Sequence, residues 1–567
     1  MKTLVLLAAI FLLSQPAMAK DSKFGQMADS YFNGYFAHNP TAATAAGFHQ
    51  YDNQLEDYSK AEVDREIEFS DQWLKKIESF SDKDLTPDEK ADKELLVSSL
   101  KATLLELVNV KSWEKNPDHY SSGLSASIFG LISRNFATPE ERIKSVIARE
   151  KQAAAVFAAA RANLKNPPQI YTEIAMEQMP GIVGFFQTDV VQAFNGIKDE
   201  KLNQDFKTAN DAVILELKRY ALYIKDEILP RSHGDFKLGK EIFEKKLLYE
   251  EMVDIPLDKL LEIGEANLRA NQGALKKAAT EIDPKKSFQE IFAEQAKDHP
   301  APDELLKSVR DLLGGLKTFL QVHHIVTVPS PVLPIVEETP AFMRALTFAS
   351  MDTPGPYENK AKEAYFNVTL PEKDWPAKQV EEHMAAFTYA ITSNTAVHEA
   401  YPGHYIQFLW LKNVKSKVRK LIGCNSNAEG WAHYSEQMML DEGYGGHNPK
   451  LRLGQIIDAL LRNARYMVGI QMHTGKMTYD QAIDYFVNEG YQTRTNAERE
   501  VKRGTSDPTY LYYTLGKLEI LKLREDYKAK MGKKFNLQKF HDAFLKQGFP
   551  PIKIIRKNML GDDSPTL

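Results

Sequence analysis

Apolar residues recur at helical spacing along most of this chain. Between 60 and 80, KAEVDREIEFSDQWLKKIESF places Val63, Ile67, Trp73 and Ile77 near one face, the period of an amphipathic helix. Similar patterns predict helices at about 87–112, 138–164, 203–228, 256–280 and 302–323. They resume at about 378 and include 453–474, 478–489, 515–530 and 536–546. Thr86-Pro87-Asp88-Glu89 and Thr138-Pro139-Glu140-Glu141 read as helix starts, with Thr as N-cap and Pro in the first turn.

The pattern breaks between about 321 and 378. HHIVTVPSPVLPIVEETP and AYFNVTLPEKDWP are rich in Val, Ile, Tyr, Thr and Pro, which predicts two or three strands or extended segments. Pro329, Pro331 and Pro334 place the first of these at an edge or in a loop. The expected fold is therefore mainly α, with two helical lobes around a deep cleft and a small β element ahead of the helix that carries the chemistry. The layout reads as a helical N-terminal lobe over 20–320, an extended segment over 321–378 and a helical C-terminal lobe over 379–567.

Residues 1–19, MKTLVLLAAIFLLSQPAMA, stand apart. A basic start, an apolar run from Leu4 to Leu13 and a closing Ala17-Met18-Ala19 read as a secretory signal cleaved before Lys20. No cysteine follows the apolar run, so the expectation is a periplasmic or secreted protein without a lipid or membrane anchor. The single cysteine, Cys424, excludes an internal disulfide and a multi-thiolate metal site. The net charge of −5 is spread along the chain, and no basic run or basic-aromatic stripe marks a nucleic-acid partner.

The chemistry gathers in 395-TAVHEAYPGHYIQFLW-410. His398 and Glu399 match the first half of the H-E-x-x-H zinc helix, in which the histidines lie one turn apart and the glutamate serves as base. Here the second histidine, His404, lies six residues on. On an ideal helix that is a rotation of about 600°, roughly 240° net, which would turn the two imidazoles apart. Pro402 cannot bond the carbonyl of His398, and Gly403 permits unusual backbone angles. This pair predicts a widened turn or π-type bulge across 400–404 that brings His404 round.

A hydrolytic zinc site needs three protein ligands and an open position. The third comes from 425-NSNAEGWAHYSEQMMLDEGY-444, where Asn427 reads as an N-cap and Glu429 as the ligand. His433 lies one turn further, placed to hydrogen-bond a ligand or the substrate. Arg465 and Arg503 are candidates for binding a C-terminal carboxylate bidentately. The stretch 365–370, YFNVTL, is a candidate edge for pairing with substrate backbone.

H-E-A-Y-P-G-H-Y-I-Q at 398–407, with N-A-E-G-W-A-H-Y at 427–434, resembles the large bacterial family catalogued as domain of unknown function 885. The resemblance extends through 462-RNARYMVGIQMH-473 and 500-EVKRGTSDPTYLYYTLGKLEI-520. Many relatives carry Pro-Gly-Gln-Ala ahead of the tyrosine that closes this last motif, whereas this chain has Asp507-Pro508-Thr509-Tyr510. The resemblance implies a helical fold related to gluzincin-like, glutamate-ligand zinc peptidases. It also singles out His473 and Tyr513, the latter from the Tyr510, Tyr512, Tyr513 cluster, as stabilisers of a tetrahedral oxyanion.

The resulting expectation is an exported zinc metallopeptidase acting on short peptides through a metal-activated water. His398, His404 and Glu429 hold Zn²⁺, and Glu399 serves as general base. The alternatives are a zinc hydrolase acting on a non-peptide amide or ester, and a non-catalytic periplasmic binding or scaffold protein.

Overall fold

The computed structural model describes residues 22–567 except 341–343 and 345–346; the signal segment at 1–19 lies outside them. The chain is mainly helical. Each predicted helix forms, with local adjustments. Lys60–Glu78 is one helix, and it buries Val63 and Ile77. Pro87–Leu105 and Pro139–Glu150 begin with full capping boxes, in which Thr86 and Thr138 exchange hydrogen bonds with Glu89 and Glu141. The 138–164 stretch is two helices, Pro139–Glu150 and Ala153–Asn163. The expected helices at 87–112 and 203–228 each end in a π-helical turn, at Glu106–Val110 and Ile224–Ile228.

The 321–378 segment supplies a three-stranded sheet in the order β1-β3-β2, with β1 at Ile335–Glu338, β2 at Ala349–Asp352 and β3 at Tyr365–Val368. β1 starts directly after Pro334 and lies at an edge, parallel to β3. β2 runs antiparallel to β3, with Met351 opposite Phe366. One face of this sheet, including Val336, Phe366 and Val368, joins a core shared with helix Leu305–Val322 and the motif helices.

The cores do not respect the order of the chain. Phe24, Phe32 and Leu96 pack with Val418 and Ile554, while Leu268 and Leu275 pack with Leu453, Ile456 and Leu460. Each pairing joins the 20–320 stretch to the 379–567 stretch, burying apolar area that neither could cover alone.

Candidate metal centre

The first motif helix, Tyr389–Glu399, starts on Thr388, whose hydroxyl accepts from the Ile391 N–H. It stops at Glu399, and a second helix, His404–Leu411, begins only five residues later. The six-residue spacing is thus resolved by a full break, not by the bulge expected from the sequence. The Tyr401–Pro402 peptide is cis. Gly403 folds back so closely that a Cβ there would lie 1.6 Å from the carbonyl oxygen of His398, so no larger residue fits. The Gly403 N–H donates to Val397 O at 3.0 Å, and the Trp431 indole donates to Pro402 O at 2.8 Å. That last bond ties the break to the helix carrying Glu429.

The break brings the two imidazoles together edge to face, their centroids 4.9 Å apart. Glu429 reaches them from helix Asn425–Asp441. Its Oε2 lies 3.2 Å from His398 Nε2 and 3.4 Å from His404 Nε2. The three ligand atoms fall within 4.8 Å of one another. Glu429 Oε2 is buried yet has no hydrogen-bond partner. Two imidazole nitrogens and a carboxylate oxygen this close together are of the donor types a small divalent cation takes.

The outer nitrogens are already committed. His404 Nδ1 donates to Gln407 Oε1 at 3.1 Å, and Gln407 in turn donates to Asn427 O. His398 Nδ1 pairs with Glu436 Oε1 at 2.7 Å. Both Nε2 atoms are therefore the ones left to face the cluster. Without a cation, burial disfavours the charged form of His398, but the neighbouring carboxylates of Glu429 and Glu436 outweigh it and push its pKa up to about 10. Glu429 is likewise held well below the usual carboxylate range: burial opposes this, and the two imidazoles prevail.

Glu436 is the residue the sequence reading missed. It is fully buried and shared by His398, His433 (3.1 Å) and Arg462 (3.1 Å). The available signal was its position seven residues, two turns, after Glu429, on the same helix face. Asn427 is not the cap of that helix; the helix starts at Asn425, and the Asn427 amide donates to Pro550 O.

Glu399 takes the Met351 N–H through Oε2 at 3.1 Å. Met351 belongs to β2, an edge strand of the sheet. The edge beside the cluster is therefore Ala349–Asp352 and not YFNVTL, which forms the central strand with a neighbour on each side.

The structure brings Tyr513 to the cluster. Its ring lies 6.5 Å from that of His398, and the guanidinium groups of Arg462, Arg465 and Arg503 surround it at 5.5, 5.0 and 6.0 Å. Close helix packing sets this position. A Cβ on Gly516 would lie 1.8 Å from Ser426 O, so helix Tyr512–Met531 crosses directly against the Glu429 helix.

Three other candidates are committed to other partners. His433 is fully buried, its Nδ1 on Glu436 and its pKa pushed down to about 3 by burial and then by Lys517; it supports the first histidine and does not face a substrate. His473 lies eleven residues beyond Arg462 on helix Pro449–His473, roughly 16 Å along the axis. It is buried against Phe236 and Phe243 and bonds Gly504 O at 2.7 Å, so it does not reach the cluster. Arg465 is spent on a bidentate pair with Glu500 at 2.6 and 2.9 Å.

No helix among the described residues is long and apolar enough to cross a membrane. No curated protein matches the chain. A solved protein described as a "putative lipoprotein of unknown function" from Shewanella oneidensis is 28% identical, with a TM-score of 0.80 over 95% of this chain and 100% of its own. A "putative lipoprotein" from Colwellia psychrerythraea shares the fold at 18% identity and a TM-score of 0.80, over 96% of this chain and 99% of its own. A family model described as "Bacterial protein of unknown function (DUF885)" matches residues 40–559, and the chain belongs to that family.

Proposed function

We propose that this protein is an exported zinc-dependent metallopeptidase that hydrolyses short peptides. The observation that carries the reading is the convergence of His398 Nε2, His404 Nε2 and the unpartnered Glu429 Oε2, with Glu399 adjoining. The imidazole–carboxylate donor set, free of thiolate, suits Zn²⁺. Zinc held there would supply Lewis-acid polarisation of a carbonyl and a water of lowered pKa.

The chain's own residues account for the rest. Glu399, steadied by the Met351 N–H, takes the proton of the attacking water and passes it to the departing amine. The Tyr513 phenol is the nearest candidate to donate to the oxyanion. The β2 edge holds the substrate backbone as an added strand. A relation to gluzincin-like peptidases, with two lobes about a deep cleft, is part of this reading.

Export is supported by the hydrophobic 1–19 segment and by the description of both solved relatives as lipoproteins. This sequence has one cysteine, Cys424, and it is buried in the fold. We place the protein in the periplasm or outside the cell.

The decisive experiment is Glu399→Gln in zinc-loaded protein. It should keep one equivalent of metal while peptide hydrolysis falls by about 10²–10⁴-fold. Hydrolysis at the wild-type rate would discard the mechanism.

A further inference from the structure

We infer, building on the peptidase reading above, that Arg503 reads a free C-terminal carboxylate on the substrate and that Asp507 holds its place between substrates. Three arginines surround Tyr513, and two of them are committed. Arg462 is paired with the fully buried Glu436, its own side chain 12% exposed. Arg465 gives Nε and Nη2 to the two oxygens of Glu500 and is 10% exposed.

Arg503 differs. Its side chain is 38% exposed. It meets Asp507 through one oxygen only, with Nε at 3.3 Å and Nη2 at 3.1 Å from Oδ2. The same Oδ2 also accepts from the Tyr512 hydroxyl at 3.1 Å. A guanidinium carries five N–H donors in a rigid fork, so the Nη1 side remains for a second carboxylate.

Placement fits the task. Arg503 lies against Tyr513, with Nη2 3.4 Å from its hydroxyl, and Tyr513 lies against His398. One aromatic ring thus separates the arginine from the cluster. An extended chain advances roughly 3.5 Å per residue, so a carboxylate on Arg503 leaves the last one to three residues of a peptide beyond the attacked bond. Asp507 and the Tyr512 hydroxyl give the guanidinium a partial counter-charge. An incoming carboxylate shares or displaces it, while an uncharged C-terminal amide gains nothing from the exchange.

The test uses binding, so that turnover does not enter it. Zinc-loaded Glu399→Gln protein is titrated calorimetrically with N-acetyl-tetra-alanine and with its C-terminal amide. The free acid should bind about 10- to 100-fold tighter, the range of a charge-assisted hydrogen-bonded pair. Adding Arg503→Gln should bring acid and amide within about threefold. Asp507→Asn, added instead, should keep the preference and tighten the acid further. Equal binding of the two peptides, no binding of either, or a preference that survives Arg503→Gln would overturn the assignment. Wild-type protein that cleaved acid and amide alike would leave the peptidase standing and this inference fallen, so the two fail separately.

Discussion

Glu436 Oε1 lies 2.7 Å from His398 Nδ1; this fully buried carboxylate also pairs with the buried His433 and with Arg462. One carboxylate therefore orients the first imidazole, and an arginine balances its charge. Burial opposes the ionised form of Glu436, but Arg462 and His433 hold it well below the usual carboxylate range. Glu436→Gln keeps the shape and removes the charge. Zinc affinity should fall about 10- to 100-fold, read by competition with a chromophoric chelator, while the helical circular dichroism stays the same. Unchanged affinity would show that His398 needs no such partner.

The break between the motif helices has its own test. Gly403→Ala puts a methyl where the carbonyl of His398 already sits. Backbone cannot yield as a flexible side chain would, so the turn must open and separate the imidazoles. We expect a destabilisation of about 1–3 kcal/mol in urea unfolding, together with loss of most bound zinc. A variant with full metal content and wild-type stability would contradict the geometry described above.

Stability should also fall on the acid side for a stated reason. His541 Nδ1 donates to Ile325 O at 2.7 Å and Nε2 pairs with the Tyr434 hydroxyl at 2.9 Å, in a fully buried site. Burial holds its pKa down to about 3, against 6.5 for the free group. A depressed pKa means the unfolded chain binds the proton first. The contribution is therefore complete above about pH 6.5 and is lost as pH falls towards 3. One such group steepens stability by about 1.4 kcal/mol per pH unit within that window. His541→Gln should flatten the profile between pH 6 and pH 4 by about this amount, while lowering stability at neutral pH. An unaltered slope would mean His541 does not titrate between the two states.

Much of this protein was legible along the chain, because the signals were local. Helical periodicity located the helices, Thr86 and Thr138 marked two starts, and three prolines pushed β1 to an edge. Residue chemistry alone nominated His398, His404, Glu429 and Glu399. The Pro402-Gly403 pair announced that the helix could not continue, though not that it would end outright; a bulge and a break share the same two residues.

What the chain could not declare was which helix face meets which neighbour. Glu429, His433 and Glu436 share one face by spacing, but only packing decided that the first points at the imidazoles and the other two build their support. Arg465 and Arg503 looked alike until Glu500 enclosed one and left the other at the surface. His473 and Tyr513 were equal candidates until one was carried along its helix away from the cluster and the other was pressed against His398 by the crossing at Gly516. Periodicity is set by a residue's near neighbours in sequence. These roles are set by partners tens of residues away, brought into contact only when the apolar faces of separate helices are buried together.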